Sequence, residues 1–110
     1  MSYVTNVIVV VGAGDEVNAD ALNGRIDEFH DLRGRPGLSQ VDGYAGGYKP
    51  IECSVYMCAY NYIDSKKLIE AFTSIDWFCP ESAQLMIKDQ NDFRFSVAAS
   101  DIAASHLNQP

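Results

Sequence analysis

The spacing of apolar and polar positions changes several times along the chain, and each change marks an element. Tyr3–Val11 is rich in β-branched side chains and apolar on both sides of the alternation, which predicts a central strand. Gly12-Ala13-Gly14 ends it. Asp15 and Glu16 then open a helix, where carboxylates suit the positive end of the helix dipole. Ala19, Leu22, Ile26 and Phe29 recur at helical spacing and form one stripe. The helix is expected to stop near Arg33-Gly34, ahead of Arg35-Pro36-Gly37. Leu38–Asp42 reads as a short strand, followed by a glycine-rich turn or loop through Gly47.

Glu52–Ile63 is the clearest strand. Asp64 or Ser65 caps a second helix whose apolar face is Leu68, Ile69, Phe72 and Ile75, with Trp77-Phe78-Cys79-Pro80 closing it. Ala83–Lys88 and Phe93–Ala98 are strand-like, joined by a hairpin turn at Asp89-Gln90-Asn91-Asp92. The predicted order is β-α-β-β-α-β with one additional C-terminal strand. That order points to an α+β, ferredoxin-like two-layer sandwich: a mainly antiparallel sheet with both helices on one face. Residues 1–99 form the single domain in this reading. Residues 100–110 form a small, polar, flexible tail with at most one helical turn.

Composition narrows the function classes. The 110 residues are 47% hydrophobic, enough for one core, and 21% charged, which argues against disorder. Three cysteines, Cys53, Cys58 and Cys79, with no basic leader ahead of the short apolar run Val7–Val11, point to thiols in the cytoplasm, or in the host cytoplasm for a viral chain. Cys53 and Cys58 lie on opposite faces of one strand, so they neither pair nor share a metal. No apolar run is long enough to cross a membrane as a helix. Eight basic residues against fifteen acidic ones give a net charge of −7, a field that repels nucleic acid and anionic membranes and suits a basic protein partner.

Four features are candidate working surfaces. Alternation along Glu52–Ile63 puts Cys53, Val55, Met57, Ala59 and Ile63 on one face, taken as core, and Ser54, Tyr56, Cys58, Tyr60 and Tyr62 on the other. Tyrosines on an open sheet face would serve self-association or a partner, so Tyr56, Tyr60 and Tyr62 are candidate interface residues. On the first helix Glu16, Asp20, Asp27 and Asp31 fall close together in angle, a negative ridge for a basic partner. The loop Tyr44, Gly46, Gly47, Tyr48 and Lys49 offers backbone N–H groups and one cation to a small anionic ligand, with Arg33 and Arg35 adding charge if the fold brings them near. The lone Trp77 lies off the second helix's apolar stripe and either seals the core or anchors a partner.

Catalytic patterns are thin. Gly12-Ala13-Gly14 lacks the rest of a dinucleotide fingerprint, because Val17 stands where a glycine or alanine belongs. There is no HExxH, CxxC or G-x-S-x-G, and His30 and His106 are the sole histidines. No metal or cofactor is expected. The leading expectation is a non-catalytic, self-associating protein-binding module that inhibits or antagonises another protein, of immunity-like or viral counter-defence type. A small-ligand binder or small dimeric α+β enzyme with a pocket near Gly43–Lys49 is the second reading. The third is an assembly subunit pairing through the edge strand Phe93–Ala98.

Overall fold

In the first strand the burial alternates without a break. The computed structural model describes residues 3–100. In β1 (Val4–Gly12), Thr5, Val7, Val9 and Val11 are buried, while Asn6, Ile8 and Val10 are only half covered. The chain continues through α1 (Glu16–Asp27), β2 (Ser39–Gln40), β3 (Cys53–Asn61), α2 (Ser65–Thr73), β4 (Gln84–Asp89) and β5 (Ser96–Ser100). The fold is α+β, with two helices and a five-stranded antiparallel sheet in the order β2-β3-β1-β4-β5.

β1 lies at the centre. It pairs with β3 from Val4↔Asn61 to Gly12↔Cys53, and with β4 from Thr5↔Asp89 to Val10↔Gln84. The register gives the sheet two distinct ends. At the Gly12 end lie the β1–α1, β2–β3 and α2–β4 connections. At the Val4 end lie the α1–β2, β3–α2 and β4–β5 connections. Both helices bury against the Thr5/Val7/Val9/Val11 face. Ala19, Leu22 and Ile26 of α1 and Leu68, Ala71 and Phe72 of α2 join Val7, Val9, Val11, Leu85, Tyr56 and Tyr60 in one cluster.

α1 stops at Asp27, short of the expected Arg33-Gly34. The reason is a clamp made by Asn23. Its Oδ1 accepts from the Leu38 N–H at 2.9 Å and its Nδ2 donates to the Leu38 carbonyl at 3.0 Å, so the side-chain amide acts as a strand partner. The clamp requires close backbone approach: a Cβ on Gly37 would meet Asn23 Oδ1 at 2.7 Å. The chain must leave the helix early to return there, and it turns through Arg33 and Gly34, both at positive φ. α2 begins as expected, with the Asp64 carboxylate accepting from the Lys66 and Lys67 N–H groups. It ends at Thr73, before Trp77.

β2 is only two residues long, shorter than the expected Leu38–Asp42. Just past it the Asp42 carboxylate accepts from the Val55 N–H at 3.0 Å, so a side chain takes over where the ladder ends. β5 starts at Ser96 rather than Phe93 and reaches Ser100, with an irregular register at Leu85/Met86. Ser100, expected in the tail, thus belongs to β5, and the rest of the expected tail, with its helical turn and His106, lies outside the described residues.

Candidate functional site

The alternation expected along β3 is present, but its sense is reversed. Tyr56 and Tyr60 face the helices and are 4% and 1% exposed. The register requires this, because Tyr60, Cys58, Tyr56 and Ser54 sit opposite Thr5, Val7, Val9 and Val11 on the buried face of β1. Tyr60 meets the ring of His30 edge-on at 5.4 Å between centroids. Ile63 is buried as expected, but it lies beyond β3. Tyr62 at φ 60° breaks the strand alternation between Asn61 and Ile63. Tyr62 itself is exposed.

The open face is accordingly aliphatic. Cross-strand pairs place Ile8 beside Met57 and Met86, Val10 beside Val55, Asn6 beside Ala59, and Met86 beside Val97. Met57 and Val97 are 45% and 58% exposed. Asn6, Asn61, Gln84, Ser39 and Lys88 border this apolar centre, and Lys88 is the one charged side chain that the strand register places on the face. An apolar middle with a polar rim is the usual anatomy of a protein interface.

The remaining predicted site residues scatter. Asp20 and Asp27 are exposed on α1, Glu16 is half-buried, and Asp31 lies beyond the helix, where its carboxylate accepts from the Arg33 N–H. The negative ridge is thus confined to Glu16, Asp20 and Asp27. Trp77 is buried, its indole N–H donating to the Phe72 carbonyl and its ring 5.1 Å from that of Phe72, so it seals the core. Tyr44, Gly46, Gly47, Tyr48 and Lys49 are all exposed. Arg33 and Arg35 are at the opposite end of the sheet, in the α1–β2 connection, and add no charge to that loop. They line instead a cleft of about 530 Å³ with Asp27, His30 and Asp31, where both charge signs are mixed.

Asp15 has a role across the fold that the pattern of the chain concealed. It is 0% exposed. Its carboxylate accepts from the N–H groups of Phe78 (2.8 Å) and Cys79 (3.0 Å) and from Asn18 Nδ2 (2.7 Å). One side chain therefore ties the start of α1 to the α2–β4 connection. Burial pushes the carboxyl up, and the three hydrogen bonds outweigh it and hold the group below its ordinary value. The acidic residue suits the helix start as expected, but the partners across the fold carry no mark in sequence.

Burial, and then the nearby Glu16, Asp20 and Asp42, push the Tyr56 hydroxyl up to about 12. Tyr60 and Cys58 are likewise pushed up, chiefly by burial. The cysteines stay free: Cys58 lies on the buried face and Cys53 on the open one. A phenol whose proton is held more tightly in the folded state stabilises the fold below pH 10.0 and loses that contribution as pH rises toward about 12. Tyr56→Phe should therefore shift the midpoint of alkaline unfolding upward in a circular-dichroism titration. An unchanged midpoint would mean that Tyr56 does not couple to the fold.

Among the described residues no three His, Cys, Asp or Glu side chains gather as a metal site, and no helix is long and apolar enough to cross a membrane. No family model, curated protein or solved structure matches the chain.

Proposed function

We propose that the chain is a protein-binding module that works as a homo-oligomer assembled through the open sheet face. The observation that carries this is the aliphatic surface of Ile8, Val10, Val55, Met57, Ala59, Met86 and Val97 on a sheet whose other face holds both helices. Contiguous apolar area of this kind marks interaction sites. A second copy suits it for three reasons. Two sheets of the same twist stack face to face. Among the described residues the strand register puts only Lys88 on the face as a charge, so copies meet there without the repulsion that a net −7 imposes elsewhere. Strands rising ~3.3 Å per residue and spaced ~4.8 Å give a footprint on the order of 600 Å², close to the about 800 Å² per partner of a standard interface.

The finer fold reading belongs with this proposal. The order β2-β3-β1-β4, with α1 linking β1 to β2 and α2 linking β3 to β4, supports a ferredoxin-like split βαβ unit extended by β5. In such a unit one sheet face is bare. The module would act by occupying a surface of another protein, as an inhibitor or antagonist does, rather than by chemistry. Three free, half-buried cysteines suit a reducing cytoplasm.

Sedimentation velocity tests the assembly. The wild-type chain should sediment as a dimer or larger species, and Met57→Asp with Val97→Asp should give a monomer that still unfolds cooperatively, with a melting point lowered by the lost association, since both side chains are already exposed. A monomeric wild type sinks the proposal. So does a chain that dimerises only after removal of residues 101–110, because the face would then belong to the chain's own end.

A further inference from the structure

The Gly12 end of the sheet gathers a second apolar surface. Tyr44 (90% exposed), Tyr48 (108%) and Ile51 (46%) stand on the β2–β3 connection, Phe78 (68%) on the α2–β4 connection, and Val17 (61%) in the first turn of α1. Two of these segments, the start of α1 and the α2–β4 connection, are fixed to one another, and the tyrosine loop is held at its start. The Asp15 carboxylate grips the Phe78 and Cys79 N–H groups, and Asp42 caps Val55 where the tyrosine loop begins. The Val17 and Phe78 parts of the surface are therefore held together before any partner arrives, which lowers the entropic cost of binding.

The distribution of charge identifies the partner. Asp15, Glu16, Asp20, Asp42, Glu52, Asp76 and Glu81 belong to this end, and Lys49 is the basic side chain there. The other seven basic residues, Arg25, Arg33, Arg35, Lys66, Lys67, Lys88 and Arg94, are spread over the rest of the described chain among Asp27, Glu28, Asp31, Asp64, Glu70, Asp89 and Asp92. The net negative charge of the described chain is thus concentrated where Tyr44, Tyr48 and Phe78 protrude, and the rest is balanced. Tyr3, Tyr62, Phe93 and Phe95 are also exposed, but they lie toward the balanced end.

We propose that this loop end is a docking surface for a basic segment of another protein. Tyr44, Tyr48 and Phe78 are its apolar anchors, and Glu16, Asp20, Glu52 and Glu81 receive lysine and arginine. An arginine side chain fits such a surface in particular, because its guanidinium stacks on a tyrosine face while pairing with a carboxylate. A second copy does not fit, since no part of the described chain carries the positive excess that would meet it. Long-range attraction would speed encounter and make binding fall with salt.

The probe is a short synthetic peptide alternating arginine and leucine, titrated into isotope-labelled full-length protein and followed by amide chemical shifts, with a glutamate–leucine peptide alongside. Shifts should centre on Val17, Tyr44, Tyr48, Ile51 and Phe78, and the glutamate peptide should produce none. Joint Tyr44→Ala, Tyr48→Ala and Phe78→Ala should weaken binding by about ten-fold or more, in the manner of interface anchors. These side chains are exposed, so the fold persists, and the melting profile checks it. Absence of binding, binding of the glutamate peptide, shifts that spread equally to Asp27, Asp89 and Asp92, or a triple variant that binds like wild type would each overturn the assignment. The Met57→Asp/Val97→Asp variant should bind the peptide unchanged, and the aromatic variant should sediment like wild type, so failure of this surface and failure of the open face are read separately.

Discussion

Asp15→Ala is expected to lower the unfolding free energy by about 3 kcal/mol or more. A hydrogen bond to a charged group contributes roughly 1.5–3 kcal/mol, and a buried donor left without its acceptor costs roughly 1–3 kcal/mol. The substitution removes the acceptor of two backbone N–H groups, those of Phe78 and Cys79, and of the Asn18 amide. It leaves a small void at a position that is 0% exposed. Asp15→Asn should cost less, because one oxygen remains to accept while its NH₂ opposes a second donor. The damage should be centred on the α2–β4 connection, so amide exchange at Phe78 and Cys79 should rise before global unfolding. Urea denaturation within about 0.5 kcal/mol of wild type would show that this connection is held by something else.

The same residue sets an acid limit. Its carboxyl is held below the ordinary 3.8. A depressed value in the folded state means the unfolded chain binds the proton more readily, so the stabilisation is complete above pH 3.8 and is lost as pH falls through the folded value. Asp15→Asn has no such proton to bind, and its stability should depend less on pH below about 4. Asp42 is depressed for a related reason, led by the Val55 N–H, but lies near the surface and contributes less.

How much of this could be read from the chain depended on whether the cause was local. The element order, the Asp64 cap and the Leu68/Phe72 stripe follow from spacing and capping chemistry within one segment, and they are present. The early end of α1 depends on Asn23 reaching Leu38, and the role of Asp15 depends on Phe78 and Cys79, which are remote in sequence. No local pattern encodes those contacts. The candidate face on β3 was misplaced for a subtler reason. Alternation fixes which residues share a face, but not which face the helices cover. Val55, Met57 and Ala59 are as apolar as core residues, so hydropathy favoured the wrong side. The pairing of Tyr56 and Tyr60 with Val9 and Thr5 decides it. β1 could not resolve the choice, because both of its faces are apolar and an aliphatic face on β3 could match either.

That reversal makes the second large effect. Tyr60→Ala is expected to cost about 3–5 kcal/mol, the range for deleting a fully buried ring, whereas Met57→Ala on the other face of the same strand should stay within about 1 kcal/mol in the monomeric background. Tyr60 is 1% exposed, with Cys58 and Leu38 near its hydroxyl and His30 at its ring edge. Its loss leaves a ring-sized void in the core cluster, beside Leu38 and the ring of His30. Tyr60→Phe separates the ring from the hydroxyl. The hydroxyl is buried without a well-formed hydrogen bond, so removing it should be neutral, or stabilising by up to about 1 kcal/mol. Denaturant melts of the three variants check the order Tyr60→Ala far below wild type, Met57→Ala close to it, and Tyr60→Phe at or above it. The opposite order for Tyr60→Ala and Met57→Ala would return the tyrosines to the surface. The aliphatic face would then be the core, and the assembly proposed for it would have no surface on which to form.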